Sequence, residues 1–555
     1  MSGLRLASLF CVLIPLGWSQ AGSPWRAGEP LPGLSEQELD RFSFGRQQYL
    51  RQFSAGEGLG PTINNTSCAL CHANPVGGWG EQRVTRFGQV DDQGEFTPTD
   101  PLGDTLWQHV AATGGDDCRE VIPPEANHFT LRLTTGSTGY GLIEAITEKD
   151  ILAIRDAQDE SIRGIARWVQ SREDPPDAAP RLGRFGWKAQ EATILAFSAD
   201  AASAEMGITT WLVESEPPPN GDWDLLADCD EVPDPETGVE VEGFDYLGAV
   251  TDFQRFMSPP PRIPATGMLG EVIFEQVGCS QCHAPQFTTP DDATLEAALR
   301  GQVIEPYSDF LLHDMGAAGD GVQDGPVEEQ WMRTPPLWGQ AIQRNLWHDG
   351  RCSQAAIEDR LRCAIAAHGE PGSQGLASVA AFDALSSGDQ GLLLSFLSSL
   401  GRRPFDVDRD ASVGVADLVQ VPGGFLDCLE SSPGPDDPCA VHDHDGDGLV
   451  GLLDLEALPL AWDDLVVDCN GNGQWDVRDI ALGLSQDVDG NGIPDDCMTC
   501  LGDIDQDADV DVDDLLALIS IEWGCSGLCW GDLDESGEVD SLDVLFLLAL
   551  WGPCT

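Results

Sequence analysis

Positive charge is what this chain of 555 residues has least of: 29 lysines and arginines stand against 94 aspartates and glutamates, a formal net charge of −65. So acidic a surface repels nucleic acid and anionic membrane and favours cations and basic partners, which excludes nucleic-acid binding as a function. The deficit is steepest at the C-terminal end, where Phe405 to Thr555 carry 36 acids against Arg409 and Arg478. Long apolar runs are also missing. The one marked run, Leu6 to Trp18, is too short to cross a bilayer as a helix. It follows a single Arg5 and precedes Ser19-Gln20-Ala21, the pattern of a secretory signal over residues 1–21. The mature chain is therefore expected outside the cytoplasm, periplasmic, at the cell surface or secreted, with no membrane span. At this length it is expected to hold several domains.

Cysteine, by contrast, is plentiful, with 17 residues, as suits a compartment where disulfides persist. Four of them lie in two copies of one pattern, TSCALCHANP at Thr66 to Pro75 and GCSQCHAP at Gly278 to Pro285. At this chain's own cysteine and histidine frequencies, chance supplies roughly 0.01 copies of Cys-x-x-Cys-His. Two thiols one helical turn apart can each form a thioether to a porphyrin vinyl group while the adjacent imidazole meets the iron. A redox dithiol, a zinc site or a disulfide explains one copy less well and two copies hardly at all. Two c-type haems are expected, on Cys68, Cys71, His72 and on Cys279, Cys282, His283. Their sixth ligands decide the chemistry, because an open face admits a small oxidant and a second side chain closes it. His109, His128, His313, His348 and His368 are the histidine candidates, beside seven methionines. Spacing and local repetition suggest disulfides Cys352–Cys363, Cys428–Cys439, Cys469–Cys497, Cys500–Cys525 and Cys529–Cys554.

The words around the clips carry a resemblance. GLGPTINNTSCALCH, GYGLIEAI, RLGRFGWKAQ, EMGIT, GCSQCHAP, YSDFLLHDMG, RTPPLWG, LWHDGR and AIAAHGE follow one another from Gly58 to Glu370. In that order they resemble blocks of the bacterial di-haem oxidoreductase family, relatives of di-haem cytochrome c peroxidases. The resemblance spans about Leu34 to Arg403. It implies a mainly α fold of two cytochrome-c-like haem domains, residues 22–245 and 246–403. It implies that His72 holds the reactive iron and His283 a relay iron, and it puts His368 at the relay's distal position, where relatives often have Met. It also implies a distal acid in the RLTTGSTGYGLIEAITEKDIL segment, for which Glu144 is the candidate, a Trp79 able to sit between the haems, and a calcium ligand at Thr334.

Beyond Arg403 a different period begins. Oxygen side chains occupy positions 1, 3, 5 and 12 of five twelve-residue loops, a pattern that wraps a hard cation. These are Asp406, Asp408, Asp410, Asp417; Asp443, Asp445, Asp447, Asp454; Asp468, Asn470, Asn472, Asp479; Asp503, Asp505, Asp507, Asp514; and Asp532, Asp534, Ser536, Asp543. An EF-hand would close with Glu and have a helix in front; these loops close with Asp and have an apolar helix only after. The last two resemble a dockerin closely. Residues 404–499 are read as an acidic calcium-loop region and 500–555 as a dockerin-like repeat pair, with a cohesin-like partner implied by that likeness. The expected whole is an extracytoplasmic di-haem c-type oxidoreductase of peroxidase type, an enzyme fed by a small redox protein or a small-molecule electron donor. The alternatives are a non-catalytic electron-transfer cytochrome tethered through the same tail, and a calcium-dependent adhesion component.

Overall fold

The computed structural model describes residues 27–402, apart from 94–95, 98–105, 114, 231, 238–244 and 262–267, together with a few isolated positions beyond 402. The signal segment and every expected calcium ligand of the five loops, from Asp406 to Asp543, lie outside the described residues.

The eleven α-helices among the described residues are α1 (Glu36–Leu50), α2 (Cys68–Cys71), α3 (Tyr140–Ala145), α4 (Glu148–Ala157), α5 (Ile194–Met206), α6 (Trp223–Cys229), α7 (Tyr246–Phe256), α8 (Leu269–Gln276), α9 (Ile357–Ala367), α10 (Leu376–Asp383) and α11 (Ser387–Ser399). None is long and apolar enough to cross a membrane.

The mainly α expectation does not hold: the helices alternate with six small sheets among the described residues, and the fold is mixed α and β. The largest sheet is built on Arg83–Val90, which pairs antiparallel with His128–Leu133 from Arg83↔Leu133 to Gly88↔His128. The short strands Leu106–Trp107 and Phe96–Thr97 also pair with it. In RVTRFGQV and HFTLRL, β-branched and aromatic residues are interleaved with polar ones, a pattern that suits a half-buried pleated surface.

Three apolar cores organise the molecule. The first joins α1, α5 and α7 through Phe42, Tyr49, Ala202, Met206, Val250 and Phe253. Helix α1 starts at a capping box, Ser35 with Glu38, which satisfies two backbone donors of its first turn. It packs closely on α7 at Gly45, where a Cβ would stand 2.2 Å from the Ala249 carbonyl oxygen. The second core joins α8, α9 and α11 through Phe274, Leu361, Leu393 and Phe396. The third contains Leu142, Phe185 and Ile194 together with Leu299, Phe310 and Trp338, so it bonds the earlier half of the chain to the later one.

An ion network crosses the same junction. Asp320 accepts from Arg132 Nε at 2.8 Å and pairs with Lys188 Nζ at 2.9 Å, all three side chains being buried. Disulfides join Cys352 to Cys363 and Cys428 to Cys439, as the spacing suggested, and also Cys118 to Cys229. The last pair is 111 residues apart, too far for local spacing to reveal.

Candidate active site

Each clip opens on a cavity of its own. At the first, Ser67 precedes the single turn of α2, which puts Cys68 and Cys71 on one side and ends at His72. The His72 amide closes that turn on the Cys68 carbonyl at 2.9 Å. His72 Nδ1 stands 3.2 Å from the Gly78 carbonyl oxygen, which makes Nδ1 the donor and leaves the Nε2 lone pair for a metal. Burial holds His72 neutral down to about 4. It also pushes both thiols up to about 11, with the Glu205 carboxylate adding to the effect at Cys71. Thiols held this far from ionisation are poorly suited to dithiol exchange or to a thiolate metal site, and the four clip cysteines form no disulfide.

The second clip repeats the arrangement. A short turn at Cys279–Gln281 precedes Cys282 and His283, and His283 Nδ1 stands 2.9 Å from the Tyr307 carbonyl oxygen. Burial, and then His368, hold His283 neutral down to about 4. Burial pushes Cys279 up to about 12.

What faces the two clips differs. The second cavity, about 270 Å³, is walled by Phe274, Leu346, Leu361, Phe382 and Leu397 together with Arg184, Arg333, His313 and His348. His368, at the end of α9, enters it opposite His283 with ring centres 6.3 Å apart. A metal bonded to both imidazoles at about 2 Å from each nitrogen would space the ring centres by about 6 Å. The His368 Nδ1 stands 2.8 Å from the Ala364 carbonyl oxygen one turn back, which again leaves Nε2 for the metal. Trp347 packs edge-on against His368 with ring centres 4.9 Å apart. The residues therefore fit a haem held from both sides.

The first cavity, about 180 Å³, contains no histidine besides His72 in its described lining. Its walls carry Arg86, Arg132, Gln190, Gln254 and Glu205 beside Tyr49, Tyr246 and Met206. Glu205, on the last turn of α5, accepts from Asn64 Nδ2 at 2.7 Å, and its carbonyl accepts the Asn64 amide at the same distance. Gly207, in the left-handed region at φ 64, ends that helix directly after Met206. These residues fit a haem bonded to His72, with Glu205 and Met206 on the walls around it.

The other residues singled out in the sequence are placed as follows. Glu144 lines neither cavity among the described residues; its carboxylate pairs with Arg255 and accepts the Ile194 amide at the start of α5. Exposed His109 stands beside Asn64, His128 packs on Phe96, and buried His313 pairs with Asp309 at 2.8 Å. Trp79 and Thr334 line the second cavity.

Leu133, Thr134, Thr135 and Trp187 line both cavities and form the wall between them. Trp187 donates from Nε1 to the Leu133 carbonyl at 2.8 Å. Sequence reasoning missed Trp187 and Glu205 as site residues, although both stand inside the quoted blocks RLGRFGWKAQ and EMGIT.

No curated protein matches this chain. Residues 124–400, which hold the second clip, His368 and the wall between the cavities, match the family described as "Di-haem oxidoreductase, putative peroxidase", a family whose name implies haem as cofactor.

Proposed function

We propose that residues 27–402 form a di-haem c-type oxidoreductase of peroxidase type, with the oxidant entering at the first clip and electrons at the second. The observation that carries this reading is the asymmetry of the cavities. His283 and His368 face each other at 6.3 Å, whereas the described lining of the cavity at His72 holds no second histidine. Haem on two imidazoles supplies electron relay, and haem on one supplies a face on which a peroxide can be reduced by two electrons.

The protein's own part is to hold His72 and His283 in the Nδ1-protonated form through Gly78 and Tyr307. At the first cavity, Glu205 is the group positioned to move a proton to a departing oxygen, with Asn64 orienting its carboxylate. That role passes to Glu205 from Glu144, which the Arg255 pair holds in a helix-capping position. Trp187 lies between the two sites, and a buried aromatic there shortens the path for an electron.

The covalent haem ligands of the proposal are Cys68, Cys71, Cys279 and Cys282. We also propose that the chain works outside the cytoplasm and that the acidic loops from Asp406 onward bind calcium as a dockerin-like module, on composition and spacing alone. Deleting Asp406 onward tests the independence of the two parts: haem content should be unchanged.

Electronic absorption and EPR spectra of the purified protein, oxidised and half-reduced, with and without peroxide, test the central reading. One low-spin and one high-spin haem are expected, the latter reacting with peroxide. Two low-spin haems inert to peroxide at every redox level would make the chain an electron carrier instead.

A further inference from the structure

Away from both cavities, the carboxylates of Glu216, Asp230 and Glu236 converge, one oxygen of each lying within 4.8 Å of the others. Asp234, the most exposed of the group, brings its carboxyl up to those of Glu216 and Glu236. The electrostatic surroundings of Glu216 are set by Asp230, Asp234 and Glu236, all of its own sign.

Glu216 is itself only 2 % exposed, and neither of its carboxylate oxygens has a hydrogen-bond donor; Glu236 Oε1 is likewise buried without one. A buried carboxylate with neither donor nor counter-charge is costly, and the cost grows when others face it. The surrounding frame is nonetheless built to hold them together. The Thr209 hydroxyl donates to Asp234 Oδ1 at 3.2 Å and to Glu236 Oε2, which also accepts the Thr209 amide at 2.8 Å. Thr237 donates from its hydroxyl to the Thr209 carbonyl at 2.7 Å. The Cys118–Cys229 disulfide pins the end of α6 beside Asp230. Gly58 leaves room for the Glu236 side chain, since a Cβ there would stand 1.9 Å from its Cγ.

We propose that Glu216, Asp230, Asp234 and Glu236 bind one calcium ion. Carboxylate oxygens bound to calcium at about 2.3–2.6 Å lie at most about 5 Å from one another, which is the spacing found. The donor set is all oxygen, with no sulfur or imidazole, and so suits a hard cation of this size and flexibility better than zinc or copper. None of these residues lines either cavity, and all are distant in sequence from the acidic loops. The site has a bearing on the first cavity through Thr209, which holds two of the ligands and follows Glu205 by four residues. A bound ion would therefore fasten residues 230–237 to the end of α5.

Hydrogen exchange on the full-length haem-loaded protein, with calcium as the probe and a chelator as control, tests the proposal because it reads this segment apart from the tail. Peptides covering residues 205–237 should exchange about tenfold more slowly, or slower still, in calcium. A Glu216→Gln, Glu236→Gln variant should lose that response and bind one calcium ion fewer per chain in equilibrium dialysis, with haem content and tail-bound calcium retained. Equal exchange of residues 205–237 with and without calcium in the unmodified chain would overturn the proposal and leave shared protons as what holds the cluster.

Discussion

The two Cys-x-x-Cys-His segments are nearly interchangeable as sequence, each with a buried histidine whose Nδ1 is tied to a backbone carbonyl, yet their surroundings are not. Around the second clip a second imidazole, His368, faces the proximal one across the cavity. Around the first, the described lining includes Glu205, Met206, Gln190 and Gln254 and no histidine besides His72. A pocket with two fixed nitrogens changes little when an electron arrives, which suits a relay. A pocket with one fixed nitrogen and a carboxylate on its wall can receive a reactant and handle protons. The difference comes from α5 and the end of α9, which bring Glu205 to the first cavity and His368 to the second, and the clips themselves do not set it.

The largest effect is expected at Glu205. Glu205→Gln should lower peroxide turnover by about 10²- to 10⁴-fold, the range for loss of a general acid, with both haems retained. Glu144→Gln should leave turnover within a few-fold, and equal losses in the two variants would remove Glu205 from its proposed role.

The junction between the two regions gives the next effect. Asp320→Ala removes the carboxylate that buried Arg132 and Lys188 share, leaving Arg132 with Asp324 and Lys188 with the Glu328 and Glu329 carbonyls, and should cost about 3–5 kcal/mol in chemical denaturation. Because Arg132 lines the first cavity, the first haem's spectrum should change.

His368→Ala works in the opposite direction. It should turn the second haem from low-spin to high-spin and leave the first unaltered, and His368→Met should restore low spin at a higher potential. Unchanged spectra would dismiss His368 as a ligand.

The smallest effect concerns His348, whose imidazole lies in the second cavity wall with Nε2 unpartnered and which burial holds down to about 4. A histidine depressed in the folded state favours folding fully above its ordinary value of about 6.5. That contribution is lost as pH falls from there towards 4. His348→Gln should therefore flatten the decline of the denaturation midpoint between about pH 6.5 and pH 4, and an unaltered slope would count against a buried neutral imidazole.

Much of the site was legible because its chemistry is local. Two thiols and an imidazole within five residues can attach one haem only through one helical turn, and the structure provides such turns at Cys68–Cys71 and Cys279–Gln281. His368 was reached through the order of its neighbouring blocks, and it does face His283. Glu144 illustrates the reverse case. It stands on a short helix in a suggestive segment, but Arg255, 111 residues later, pairs with it, and no local pattern announces a partner at that distance. The sheet on Arg83–Val90 escaped notice because its pairing with His128–Leu133 is likewise non-local, and mainly α was the wrong expectation for that reason.

The two Cys-x-x-Cys-His clips, their histidines and the sharp change of composition after Arg403 are properties of contiguous residues and were readable from the chain alone. Which carboxylate lines the first cavity, which tryptophan lies between the cavities, the Cys118–Cys229 pair and the meeting of Glu216, Asp230, Asp234 and Glu236 come from the packing. Each of these depends on side chains from separate segments being brought within a few ångströms by the packing of the three cores, and burial and electrostatics act over that distance whatever the separation along the chain.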